Sequence, residues 1–140
     1  MIPPAAADHT PDPGHHHDSA QPAAATPATA RRQVTALLRT AGKDLESVAA
    51  IDALLVTSEL VTNAIRHGGG IIAFHAALTD GILRLTVSDA SPHHPIPSPT
   101  DHGTSGGYGW PLIQRLTDHI DITPHPHGGK TITTRQRLAP

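Results

Sequence analysis

No cysteine occurs among the 140 residues, which excludes a disulfide framework, a thiolate nucleophile and a thiolate metal site. Lysine is nearly absent too: only Lys43 and Lys130 occur, and the 10 basic residues are scattered along a chain of formal charge -2. With no basic stripe, direct binding of DNA or RNA is not expected. The start of the chain has neither a basic segment nor an apolar core of the kind that targets secretion. No stretch reads as a membrane span of ~18 apolar residues. A soluble, cytoplasmic protein without a membrane partner is the expectation. Large apolar side chains are missing from the first 30 positions, which hold six of the 14 prolines and nine alanines but only Met1 and Ile2 as larger apolar residues. Such a segment cannot offset the entropy of ordering, so residues 1–30 read as a disordered tail and residues 31–138 as one folded domain.

Within that domain Val34, Leu37, Leu38 and Ala41 recur at helical spacing, and Gly42 follows as a stop. A longer helix is expected over 47–66, with Val48, Ile51, Leu54, Leu55, Val61 and Ile65 on its core side and Gly68, Gly69 and Gly70 closing it. Residues 71–78 and 82–89 read as paired antiparallel strands, with Leu83, Leu85 and Val87 on one face and Asp80-Gly81 as the hairpin turn. Residues 90–108 show no periodicity and include four prolines, three histidines and three glycines; a loop of that length inside a small domain is expected to be a functional lid. A third helix is expected to begin at Trp110 or Pro111, followed by two β-rich segments over 119–123 and 130–138. This order predicts an α+β sandwich: an antiparallel sheet with helices packed on one face.

Three groups of residues could carry chemistry. Glu59, Asn63 and His67 are spaced four apart, so they lie within about 80° of one another on one helix stripe. Glu59 is one of only two glutamates, and a neutral Asn oxygen one turn on suits Mg²⁺, which takes few protein ligands beside phosphates and water. By spacing alone the same stripe can be an ordinary solvated face, and His67 a helix-end histidine favoured by the dipole. Asp89 ends its strand, directly after Leu85, Thr86, Val87 and Ser88, and opens the lid. There a carboxylate can accept from an exocyclic amine such as adenine N6, or can cap its own turn. Gly106-Gly107-Tyr108-Gly109 runs into Trp110-Pro111 and a helix start, where glycines and free N–H groups suit a phosphate or a hinge. Tyr108 and Trp110 can equally pin that helix to the core. The histidine clusters at His15-His16-His17, His93-His94 and His125 with His127 lack acidic or thiol partners at ligand spacing and are not read as metal sites.

Taken in order, Glu59-Leu-Val-Thr-Asn63, Val87-Ser-Asp89-Ala-Ser91, Gly107-Tyr-Gly109 and Gly129-Lys-Thr131 resemble the four ATP-site motifs of the GHKL superfamily. The similarity is greatest to its small single-domain branch, the anti-sigma-factor serine/threonine kinases of actinobacterial type, and spans about residues 31–138. The resemblance implies a Bergerat-type two-layer α/β sandwich with a mixed, mostly antiparallel sheet and helices on one face. It also implies roles: Glu59 as general base, Asn63 as Mg²⁺ ligand, Asp89 reading the adenine amine, Gly107 and Gly109 cradling phosphates, and Thr131 beside the adenine. In the family ATP phosphorylates a serine on a small anti-anti-sigma protein of STAS type, and the same domain, usually a homodimer, sequesters a sigma factor. The chain departs from the family at Tyr108 and Trp110, where Arg or His and then Leu are common. No Lys or Arg occurs between Arg84 and Arg115, so the lid brings no permanent cation to the γ-phosphate. An ATP- or ADP-gated binding module without kinase activity is therefore the alternative reading.

Overall fold

The architecture is that of a computed structural model of the chain, which describes residues 17–22, 25–92 and 109–138. Five strands form one sheet: β1 (His17–Pro22), β2 (Ile71–Thr79), β3 (Ile82–Asp89), β4 (His119–Pro124) and β5 (Lys130–Arg137). Their order is β1-β2-β3-β5-β4, and every pairing among them is antiparallel. Three helices, α1 (Pro27–Thr40), α2 (Val48–His67) and α3 (Gly109–Leu116), share one apolar core with a single face of this sheet. The observed class is the expected α+β sandwich with helices on one side, but where a mixed sheet was expected every pairing among the described strands is antiparallel.

Local chemistry accounts for the elements. The β2–β3 hairpin turns through Asp80 (φ 53°) and Gly81 (φ 77°), the pair of left-handed residues that a two-residue turn between twisted strands requires. In β3, Leu83, Leu85, Val87 and Asp89 alternate into the core, and in β5 Lys130, Ile132, Thr134 and Gln136 do the same. Ser47 caps α2 by accepting from the Ala50 N–H at 3.1 Å, and Gly68 ends the helix.

The structure corrects the expected tail. His17–Pro22 pairs with β2 over six positions, from His17 opposite Leu78 to Pro22 opposite Ala73. Helix α1 begins at Pro27, not Arg31, because Thr26 and Thr29 form a reciprocal capping box: Thr26 Oγ1 accepts from the Thr29 N–H at 3.1 Å, and Thr29 Oγ1 from the Thr26 N–H at 2.8 Å. Ala25 and Ala30 are buried. A count of large apolar residues misses this, because a strand edge is held by backbone hydrogen bonds and a helix start by two hydroxyls. A chain starting at Arg31 is expected to melt several degrees below one starting at His17, since a lost cap alone costs about 1 kcal/mol. Thermal unfolding by circular dichroism checks this; equal midpoints would show that the segment adds nothing.

Helix α2 is also oriented differently from the sequence expectation. Its buried face is Ala50, Ala53, Val56, Thr57, Leu60, Val61, Asn63 and Ala64, whereas Val48, Ile51, Leu55 and Ile65 are exposed. The periodicity contains two apolar stripes, and the one rich in small residues lets the helix lie close to the sheet and between α1 and α3. By length and composition α2 could cross a membrane, but its buried residues belong to the core of this sandwich.

Candidate functional site

The C-terminal half of α2, the end of β3, the start of β5 and the start of α3 converge at one end of the sandwich. Gly109, the first residue of α3, packs directly on the carboxyl of Glu59, and a Cβ there would collide with Glu59 Oε1. The same Cβ would also lie 3.5 Å from Asn63 Oδ1. Glu59, Asn63 and Gly109 are thus brought together, as the motifs anticipate. Two of their polar atoms, Glu59 Oε1 and Asn63 Nδ2, are enclosed with no hydrogen-bond partner among the described residues. Buried polar atoms are normally satisfied, so two left open on successive turns of one helix point to a polar ligand at this spot. The Asn63 carboxamide can turn to offer either its oxygen or its nitrogen.

Burial pushes the Glu59 carboxyl above its ordinary value of 4.5, and the positive charge of Arg66 partly opposes this. A raised pKa suits a base that must accept a proton near neutral pH. It also sets a stability sign. The protonated form is favoured by folding, so the stabilisation is complete below 4.5 and is lost as pH rises through the folded-state value. Glu59→Gln is therefore expected to melt about 1–4 °C above the wild type at pH 7, with the gap closing in acid. Thermal melts at pH 4 and pH 7 check this; a gap that widens in acid would refute the burial argument.

Asp89 is buried at the end of β3, held by Lys130 and Ser91. Its Oδ1 accepts from Lys130 Nζ at 3.0 Å and from the Ser91 N–H at 3.0 Å, and Lys130 Nζ also donates to the Ser91 carbonyl at 3.1 Å. The Asp89 and Lys130 side chains are only 3% and 4% exposed, which makes this a buried ion pair. Two glycines let it form. A Cβ at Gly68 would stand 2.5 Å from Asp89 Oδ2, and one at Gly129 (φ 87°) 2.5 Å from the Asp89 carbonyl oxygen.

Thr131 does not join this group. Asp89 lies opposite Lys130 and Ser88 opposite Thr131, so strand alternation sends Thr131 to the other face of the sheet. There its hydroxyl bonds Ser88 Oγ at 2.9 Å and His125 Nε2 at 2.6 Å. The residue beside Asp89 on the helix side is Lys130, which the motifs did not single out; only its register opposite Asp89 reveals it. Trp110 is buried in the core cluster, so it anchors α3, and His67 is exposed at the last turn of α2. Gly106, Gly107 and Tyr108, and most of the expected lid, lie outside the described residues.

A sandwich of this topology, with an acid and an amide on one helix and a buried aspartate at the end of a strand, defines a class. Residues 19–135 match the histidine kinase-like ATPase domain, and the chain belongs to that family. Over 96 residues it is 26% identical to an anti-sigma F factor of Halalkalibacterium halodurans, an alignment covering 59% of this chain and 66% of that protein. It is similar to the crystal structure of the RsbU and RsbW domains of Rv1364c from Mycobacterium tuberculosis, with a TM-score of 0.63 and 27% identity over 89% of this chain and 33% of the other. A histidine kinase domain from Erythrobacter litoralis aligns with 80% of this chain and 60% of its own length, at a TM-score of 0.47 and 22% identity.

Proposed function

We propose that this protein is an ATP-dependent anti-sigma factor of the serine/threonine kinase type. The observation that carries the reading is the pair of enclosed polar atoms on Glu59 and Asn63, which have no hydrogen-bond partner among the described residues and lie on the two side chains next to Gly109. Asn63 would hold Mg²⁺, which neutralises phosphate charge when bound. Glu59 would take the proton from a serine hydroxyl of an anti-anti-sigma protein. As that oxygen bonds to the γ-phosphorus, the bond to the ADP oxygen breaks and ADP leaves. Asp89 would accept from the adenine amine, and Gly107 and Gly109 would let backbone approach the phosphates. The similarity to an anti-sigma F factor and to an RsbW domain supports a sigma factor and its antagonist as partners. In this reading the protein would act in the cytoplasm as a homodimer.

A second reading, a nucleotide-gated binder that transfers no phosphate, is favoured by one feature: no Lys or Arg between Arg84 and Arg115. Transition-state charge in phosphoryl transfer is normally met by such a cation, and its absence can slow the step by orders of magnitude. Incubation with γ-labelled ATP and lysate of the source cell decides between the two. One labelled small protein supports the kinase, and Mg-ATP binding with no labelled product supports the binder. If titration calorimetry detects no binding of Mg-ATP or Mg-ADP, both readings fall.

A further inference from the structure

The Lys130–Asp89 pair holds unused hydrogen-bonding capacity of both kinds. Oδ1 of Asp89 is occupied by two donors, whereas Oδ2 makes no hydrogen bond to a described residue and faces Gly68, where a side chain would not fit. An ammonium has three donors, and among the described residues Lys130 Nζ spends two, on Asp89 Oδ1 and the Ser91 carbonyl. A free acceptor therefore stands beside a free donor, on two side chains locked together by a buried ion pair. Removing two charges from water is costly unless the geometry is good and the remaining valences are met. A ligand that meets both would complete the cluster.

We infer that Lys130 is a base-reading residue, donating to the ring N1 of adenine while Asp89 Oδ2 accepts from the exocyclic N6 amine. This rests on the nucleotide reading above. The two groups together complement adenine's edge, a donor next to an acceptor. Guanine in the same orientation reverses both, setting its O6 against the carboxylate and its N1–H against the ammonium. Lys130 thus adds a second point of discrimination to that supplied by Asp89. Gly129 positions it: its left-handed φ of 87° and the close approach to the Asp89 backbone bring the first residue of β5 against the end of β3.

The test uses the full chain and two ligands that differ at one ring position. Calorimetric titration with Mg-ADP and with its 1-deaza analogue, in which C–H replaces N1 and the amine is retained, reads the proposed contact directly. Wild type is expected to bind 1-deaza-ADP at least about 10-fold more weakly, as fits loss of one charge-assisted hydrogen bond. In Lys130→Met the ratio of the two affinities is expected to fall close to one. A purely structural lysine would instead weaken both ligands by the same factor and leave the ratio unchanged. Equal binding of the two ligands by wild type overturns the inference while leaving the nucleotide reading intact, and this arm needs no variant that might fail to fold. GDP binding as tightly as ADP also overturns it. No binding of ADP at all removes the nucleotide reading, and the inference with it.

Discussion

Replacing Glu59 with alanine is expected to leave Mg-ATP binding nearly unchanged while slowing phosphoryl transfer to the antagonist protein by about 10²–10⁴-fold. The asymmetry follows from when the interaction is made. In the kinase reading Glu59 would receive a proton only as the serine oxygen attacks, so its contribution would belong to the transition state and not to the ground state. Its half-buried position, the enclosed Oε1 and the upward push on its pKa all suit that role. Asn63→Ala is the internal control: if Asn63 holds Mg²⁺ as proposed, it acts before chemistry, and its loss should remove the Mg²⁺ dependence of binding itself. Single-turnover transfer assays with labelled ATP, beside calorimetry, separate the two effects. Transfer by Glu59→Ala as fast as by wild type would refute the base assignment. If wild type itself transfers no phosphate yet binds its partner in a nucleotide-dependent way, Glu59→Ala should match it in partner affinity, and the gated-binder reading stands.

The second large effect is expected at Asp89. Asp89→Asn keeps an oxygen able to accept from Lys130 and from the Ser91 N–H, but places an NH₂ where Oδ2 stood. Two donors then face each other at the adenine amine, and adenine nucleotides should bind roughly 10- to 100-fold more weakly, from a loss of about 1–3 kcal/mol. The change also removes the countercharge of a lysine whose side chain is 4% exposed. Truncation to Asp89→Ala should be far worse for the fold, since breaking a buried pair by deleting one partner costs about 3–5 kcal/mol. Thermal melts and ADP titrations of the two variants test this. An Asp89→Asn protein with wild-type affinity for ADP would remove Asp89 from the base site.

Much of the candidate site was legible before any fold was known, because its motifs are local. Glu59 and Asn63 need only one helix to share a stripe, and the run of Gly68, Gly69 and Gly70 announces the end of that helix. The burial of Asp89 follows from the alternation of Leu83, Leu85 and Val87. The glycine that lets α3 approach Glu59 was visible as part of the Gly107-Tyr-Gly109 motif. What escaped was whatever depends on a partner segment distant in sequence. Thr131 was placed beside the adenine because the motif supplies a threonine, yet its pairing with Ser88 sends it to the open face. Lys130 was not singled out because nothing local marks it, and only the carboxylate 41 residues earlier makes its burial tolerable.

The sequence by itself determined the element order after Gly42, the Asp80-Gly81 hairpin, the fold class and the family, since these rest on periodicity, turn chemistry and motif order, all of them short-range signals. Tertiary structure alone decided three matters. It chose the small-residue face of α2 over the Ile51 and Leu55 face, because close approach to the sheet favours alanines. It drew His17–Pro22 into the sheet, because an open edge of β2 accepts any backbone. It put Lys130 and not Thr131 against Asp89, because a shift of one residue in strand register exchanges the two faces of the sheet.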